Sequence, residues 1–186
     1  IQDGFSTIVI TVGWSVEHVP GFGHILRNAS PVASPPLARD LLRHRFHSIV
    51  SDMGALLCRT AISTNIRERL DFSCALLDPQ GRLLSSAPHI PVHLGALGVC
   101  VREVAKAVSM RPGDTIITNH PAFGGSHLPD VTLITPVFDS NGQLIGYIAN
   151  RAHHAEIGGI TPGSMLANAT RLIQEGVVIV PRHLIR

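Results

Sequence analysis

The chain contains a single lysine, Lys106, so its positive charge is carried almost entirely by arginines scattered along its length. At a formal net charge of +2 it has no concentrated basic footprint, and aromatic residues make up only 4% of it. Few stacking rings and little excess charge exclude nucleic acid as the expected partner. No apolar run approaches the roughly 20 residues of a membrane span; the apolar stretches are strand-sized and broken by charges, so no membrane partner is expected. The opening Ile1-Gln2-Asp3-Gly4 lacks the basic start and long apolar centre of a signal peptide. Cys58, Cys74 and Cys100 are odd in number and widely spaced, which argues for buried thiols in a reducing compartment over a disulfide framework or a cysteine zinc site. The expectation is a cytoplasmic enzyme and, since the chain does not begin with Met, a piece of something longer. Neither G-x-x-x-x-G-K-S/T nor G-x-G-x-x-G occurs, so no loop that cradles nucleotide phosphates is legible.

What is present suits a buried core, with hydrophobic residues at 45% and charged ones at 15%. Ser6 to Val12 is rich in β-branched residues and reads as a strand, with His24 to Arg27 as a short partner strand. Asn28 to Pro36 is small-residue and proline-rich, the composition of a linker. The spacing of Leu42, Phe46, Ile49, Val50, Met53, Leu56 and Leu57 predicts a helix over Leu37 to Thr60 with one buried stripe. Phe72–Asp78 and Arg82–Ser85 around Pro79-Gln80-Gly81 predict a hairpin, and Leu94 to Met110 a second helix. Val131–Phe138 and Gln143–Asn150, joined at Asp139-Ser140-Asn141-Gly142, predict the clearest hairpin, and Val177 to Pro181 reads as a further apolar strand. The expected fold class is mixed α/β (α+β), with antiparallel β-hairpins and two main helices, forming a partial domain.

Seven of the eleven histidines lie between His89 and His183. The densest groups are Asn119-His120-Pro121 through Gly125-Ser126-His127-Leu128-Pro129-Asp130, and Arg151-Ala152-His153-His154-Ala155-Glu156. The 131–150 hairpin joins the two, so His127 and Asp130 should return close to His153 and His154. Imidazole nitrogen with carboxylate oxygen is a ligand set for Zn, Mn or Fe; histidines in glycine loops also serve simply to satisfy backbone carbonyls. Of the adjacent His153 and His154 only one can be a ligand, because neighbours in an extended chain face opposite ways. His89 and His93 stand in a proline-stiffened loop before a helix, where they line a substrate pocket, cap the helix or pack beneath the loop. Asn65, Arg67, Glu68, Arg69 and Asp71 form a charged knot expected to be a structural ion-pair network. Ser164 has no base at a readable spacing. Glu175 is a candidate general base or a strand-end carboxylate.

Asn119 to Leu133 resembles the N-D-P-Y-x-G-G-T-H-L-P-D-V-T-L stretch of the hydantoinase B / 5-oxoprolinase family, and Arg151 to Met165 resembles its H-H-A-D-x-G-G-x-x-P-G-S-M stretch. Ser63–Arg69, Asp71–Ala75, His89–Gly95 and Gln174–Gly176 add matches in the right order. The resemblance implies that residues 1–28 are the C-terminal end of a hydantoinase A-like module, 29–36 a linker, and 37–186 the N-terminal part of a B-like catalytic module. It implies an ATP-dependent hydrolase of cyclic amides, most simply one opening 5-oxoproline to glutamate. ATP would be bound by an A-like module absent from this chain, and the full enzyme would be an oligomer. The alternatives are a hydantoinase, a ketone-carboxylase-type subunit, or a non-catalytic piece acting in assembly. By resemblance the divalent-metal ligands are His127, Asp130 and His153, which leaves His154 as acid/base or substrate contact beside Glu175. His89, His93 and His120 are then substrate-binding candidates. The chain departs from the family pattern at His120 (Asp in the family), Phe123 (Tyr), Glu156 (Asp), and Leu166 and Ala167 (prolines).

Overall fold

The computed structural model describes residues 10, 12–20, 23–28, 36–87, 90, 92–163 and 166–186. The expected strand at 6–12 falls largely outside these, as do His89, Ser164 and most of the 29–36 linker. The chain divides into two compact units, Ile1–Leu41 and Leu42–Arg186.

In the first unit, β1 (Trp14–Val19) pairs antiparallel with β2 (Gly23–Asn28) in the register Trp14↔Asn28. The expected 24–27 strand lies within β2, and 14–19 is a partner of it. The alternation Trp14, Val16, His18 could have shown this, but Glu17 and His18 dilute the apolar signal. Helix α1 (Pro36–Thr60) begins in this unit and continues into the second.

The second unit is built on six antiparallel strands in the order β4-β3-β7-β6-β5-β8. They are β3 (Phe72–Leu77), β4 (Leu83–Ser86), β5 (Thr115–Thr118), β6 (Asp130–Phe138), β7 (Leu144–His153) and β8 (Arg182–Ile185). Helix α2 (Thr64–Arg67) precedes the sheet, α3 (Val92–Ala107) follows β4, and α4 (Leu172–Glu175) precedes β8. The two expected hairpins and two main helices are present, and the mixed α/β class with antiparallel pairing is the observed one. Among the described residues no helix is long and apolar enough to cross a membrane.

Strand alternation sorts the sheet into two faces. Ala75, Leu77, Ile116, Ile134, Tyr147 and Ala149 pack under Leu97, Cys100, Val101 and Val104 of α3. Phe72 and Cys74 face the other way and pack with Ile66, Met53 and Leu57. The stripe expected on α1 is buried on one side only: Val50 is fully buried, but Leu42, Ile49 and Leu56 are exposed. The patch formed by Phe72, Cys74, Ile66 and Ala152 is wide enough to cover Met53 and Leu57, not the whole stripe.

The expected strand at Val177–Pro181 is not one; the segment is irregular and β8 starts only at Arg182. A side chain replaces the ladder here. Asn119 donates from Nδ2 to the Leu128 carbonyl (2.9 Å) and the Val177 carbonyl (2.8 Å), and its Oδ1 accepts from Ile179 N–H (2.7 Å). The short strand β5, invisible as four residues after Pro112-Gly113-Asp114, pairs with β6 on one side and β8 on the other.

Candidate functional site

The face that α3 covers changes character along its length. Ladder pairing sets Asp130 opposite His153 and Thr132 opposite Arg151. Following the same alternation past the apolar Ile134 and Ala149 therefore brings Thr132, Arg151, Asp130 and His153 onto the α3 side, at one end of the sheet. His93, in the first turn of α3, meets them there. His127 enters from the 119–129 loop through a turn in which Asp130 N–H donates to the His127 carbonyl (3.0 Å).

That loop is fastened from beneath. Arg151, fully buried, donates from Nε to Thr132 Oγ1 (2.8 Å) and from Nη2 to the Gly124 carbonyl (2.8 Å). Gly124 has φ 78°, and a Cβ there would lie 2.7 Å from the Cys100 backbone nitrogen. Only glycine allows the loop to lie this close to α3 with a left-handed backbone.

Three donor atoms converge. His127 Nε2 lies 3.0 Å from Asp130 Oδ1, His153 Nδ1 lies 2.9 Å from the same oxygen, and the two nitrogens are 3.1 Å apart. Two ring N–H groups donating to one carboxylate oxygen would crowd their hydrogens together, with the nitrogens only 3.1 Å apart. One cation at the centre satisfies all three. Ligands about 2.0–2.2 Å from an ion and at right angles to one another are roughly 2.8–3.1 Å apart, so the donor spacing fits a single divalent metal. The other oxygen, Oδ2, accepts from Ser126 Oγ and faces His93 Nε2 at 3.4 Å. Burial would raise the Asp130 pKa. Hydrogen bonds from His93, Ser126 and His153, with the electrostatic pull of His127, outweigh burial and hold the carboxyl well below its usual range.

These residues floor a cleft of about 850 Å³ whose rim includes Asn65, Arg69, Asp71, Ala155 and Gly163. The charged knot thus corrects its expectation. Among the described residues no ion pair joins Arg67, Glu68, Arg69 or Asp71. Instead Leu70, at φ 54°, sits in a left-handed turn between Arg69 and Asp71, both at the rim. Its backbone also anchors the site, because His153 N–H donates to the Asp71 carbonyl (2.9 Å). Nothing in the local sequence signalled that turn.

The remaining candidates separate. His93 joins the cluster, although from behind Asp130, with 4% of its side chain exposed. His154 is beside the cluster but does not line the cleft; its backbone N–H donates to the Pro129 carbonyl (2.9 Å). Burial, then the neighbouring His153, push its imidazole pKa down, opposed by Asp130. His120 is not in the cleft. Its Nδ1 accepts from Ala122 N–H (3.1 Å) and caps the turn at Pro121–Phe123. Glu175 ends α4, away from the three donors. Burial pushes the Cys74 thiol up to about 11 and raises that of Cys100, so neither is a nucleophile.

Glu156, three residues past His153, shapes the cleft edge. Its carboxylate accepts from Ile157 N–H (3.0 Å), Gly158 N–H (2.9 Å) and Gly163 N–H (3.0 Å). The bonds from Gly163 and Gly158 lower its pKa, the largest causes of the shift. A depressed folded-state pKa means this loop contribution is complete above the ordinary glutamate value of about 4.3 and is lost as pH falls through the lower folded value. The amide resonances of Gly158 and Gly163 should therefore titrate together at acid pH, with a midpoint below that value. They should stay flat in Glu156→Gln; independent titration of the two amides would contradict a shared carboxylate.

A family model described as hydantoinase B/oxoprolinase matches residues 36–186. The chain is 55% identical over 190 residues to 5-oxoprolinase 1 of Arabidopsis thaliana, covering 96% of this chain and 15% of that protein. It is 53% identical over 146 residues to the 5-oxoprolinase of Saccharomyces cerevisiae, covering 77% of this chain and 11% of that one. Among solved structures, an ATP-dependent caprolactamase from Pseudomonas jessenii aligns with TM-score 0.72 at 29% identity, over 84% of this chain and 27% of its own. Nucleotide-free acetone carboxylase shares the fold with TM-score 0.72 at 24% identity, over 80% of this chain and 20% of its own. The chain thus spans 11% to 15% of the length of the two 5-oxoprolinases.

Proposed function

Since the chain belongs to the hydantoinase B/oxoprolinase family, we propose that it forms part of an ATP-dependent cyclic-amide hydrolase that opens 5-oxoproline to glutamate, with His127, Asp130 and His153 holding a divalent metal. The observation that carries the reading is the triangle of donors, 2.9 to 3.1 Å on a side, at the floor of a cleft large enough for a small ring. Identity above 50% to two proteins named 5-oxoprolinase supports the substrate, and the caprolactamase supports the wider class of cyclic amides.

In this reading residues 37–186 are the N-terminal part of the B-like module, 1–28 the end of an A-like module and 29–36 the linker between them. The A-like module binds ATP and activates the exocyclic lactam oxygen by phosphorylation, which agrees with the lack of a phosphate-binding loop in this sequence. A metal held by the triad would polarise the ring carbonyl or activate water. The chain's own groups do the rest. Asp130, kept ionised, supplies the negative charge that retains a cation. Asn65 and Arg69 at the rim offer hydrogen-bond donors to an anionic substrate. His154, beside the triad but not lining the cleft, is an acid/base candidate by resemblance only. Glu175 and His120 have weaker cases, since one ends a helix away from the donors and the other is occupied as a cap. The unbridged cysteines support a reducing, cytoplasmic location, and the full enzyme is proposed to be an oligomer.

Titration of the protein with Mn²⁺, followed by the loss of the free-ion electron spin resonance signal, tests the site. One ion per chain should bind. His153→Ala should weaken retention by more than the roughly 10–100-fold typical of losing an outer-shell partner. Equal binding by the wild type and His153→Ala would sink the assignment.

A further inference from the structure

The two oxygens of Asp130 are held in different ways. Oδ1 faces His127 Nε2 and His153 Nδ1 at 3.0 and 2.9 Å. Oδ2 points away from those nitrogens, to Ser126 Oγ and to His93 Nε2 at 3.4 Å. His93 is outside the group of donors that lie within 4.8 Å of one another, so it is not placed as a fourth ligand. It is also too deep to meet substrate freely, at 3% exposure.

Its surroundings explain what it does instead. A carboxylate only accepts hydrogen bonds, so any bond across this 3.4 Å contact with Oδ2 is donated by the ring nitrogen. Behind the ring, the Ser73 hydroxyl lies between His93 Nδ1 (3.2 Å) and the Ile90 carbonyl (2.9 Å). Ser73 is fully buried in β3, which the ladder fixes against β7 at Arg151. The ring is thus clamped between the first turn of α3 and the sheet, and its one free direction is toward Asp130. Ser126 reaches the same oxygen from an exposed loop position, where water can replace it. The buried donor is the permanent one.

We propose that His93 is a positioning residue that occupies Oδ2, so that Asp130 presents a metal with one oxygen instead of two. The proposal rests on the metal reading above. A carboxylate free to use both oxygens would take a second coordination position, one that water or substrate otherwise fills. The residue therefore sets how many positions stay open, and not whether an ion binds.

The readout is the number of exchangeable waters on bound Mn²⁺, measured by water-proton relaxation and oxygen-17 line broadening on the metal-loaded protein. His93→Leu, which keeps bulk and removes the donor, should lose one such water relative to wild type. His93→Gln, whose amide can still donate toward Oδ2, should retain it. Should His93→Leu fail to fold, Ser73→Ala leaves the ring in place and removes the hydroxyl behind it, and should shift the same signal in the same direction. Equal hydration in wild type and His93→Leu (or Ser73→Ala), or equal loss in His93→Leu and His93→Gln, would overturn the proposal while leaving the metal site standing. A wild-type protein that binds no Mn²⁺ would overturn both.

Discussion

Asp130→Asn in the full enzyme is expected to lower glutamate formation by about 10³-fold while ATP consumption falls far less. The substitution keeps the side chain's shape but removes the carboxylate charge from the donor triangle, and an amide turned the wrong way presents hydrogens to His127 and His153. A bound metal contributes several kcal/mol to stabilising developing charge, and about 4 kcal/mol corresponds to three orders of magnitude in rate. The split between the two readouts is the informative part. If activation of the lactam oxygen takes place on an A-like module, that step does not pass through Asp130, so the variant should uncouple ATP use from ring opening. Equal loss of both activities would contradict the proposed division of labour, and full retention of glutamate formation would remove Asp130 from the site.

The part of this site that could be read in the sequence is the part carried by strand periodicity. The run from Val131 to Asn150 alternates and turns at Asp139-Ser140-Asn141-Gly142, and a hairpin necessarily returns its end to its beginning. The meeting of Asp130 with one of His153 and His154 follows from that alone, and the ladder pairs it directly with His153. Period-two geometry also makes one of the two adjacent histidines turn away, and His153 is the one that faces Asp130 while His154 does not line the cleft. Choosing between them needed the register, which the sequence leaves open by one residue.

What could not be read depends on contacts between segments distant in the chain. His93 is 37 residues before Asp130, and nothing in its helix indicates which strand end α3 would cover. Arg69 and Asp71 looked like partners for each other, because charges of opposite sign two apart usually are solvated neighbours; the left-handed Leu70 between them breaks that inference. His120 looked like a pocket residue because it replaced a family carboxylate. In this chain the position is a cap, with the imidazole nitrogen accepting the Ala122 N–H. The error at Val177 to Val180 has a related cause. Four apolar β-branched or similar residues carry strand propensity, but propensity does not say whether the bonds come from a ladder or from one asparagine.

That asparagine carries the second large expected effect. Asn119→Ala removes the partners of the Leu128 carbonyl, the Val177 carbonyl and the Ile179 N–H at a fully buried position. At about 1–3 kcal/mol for each buried group left unsatisfied, less whatever water can reach, the loss is roughly 3–6 kcal/mol. That is a large share of the 5–15 kcal/mol typical of a folded domain. Asn119→Asp is the sharper test. It preserves the shape and the acceptor for Ile179 N–H, yet turns two donated bonds into a carboxylate facing two carbonyl oxygens. If donation from Nδ2 is what fastens the 177–179 segment, Asp should destabilise at least as much as Ala in urea unfolding at neutral pH, and its deficit should shrink as the pH is lowered and the carboxyl regains a proton to donate. An Asp variant as stable as the wild type at neutral pH would show that the segment is held by the flanking backbone bonds of Asn119 and the Thr118 hydroxyl to Ile179 instead.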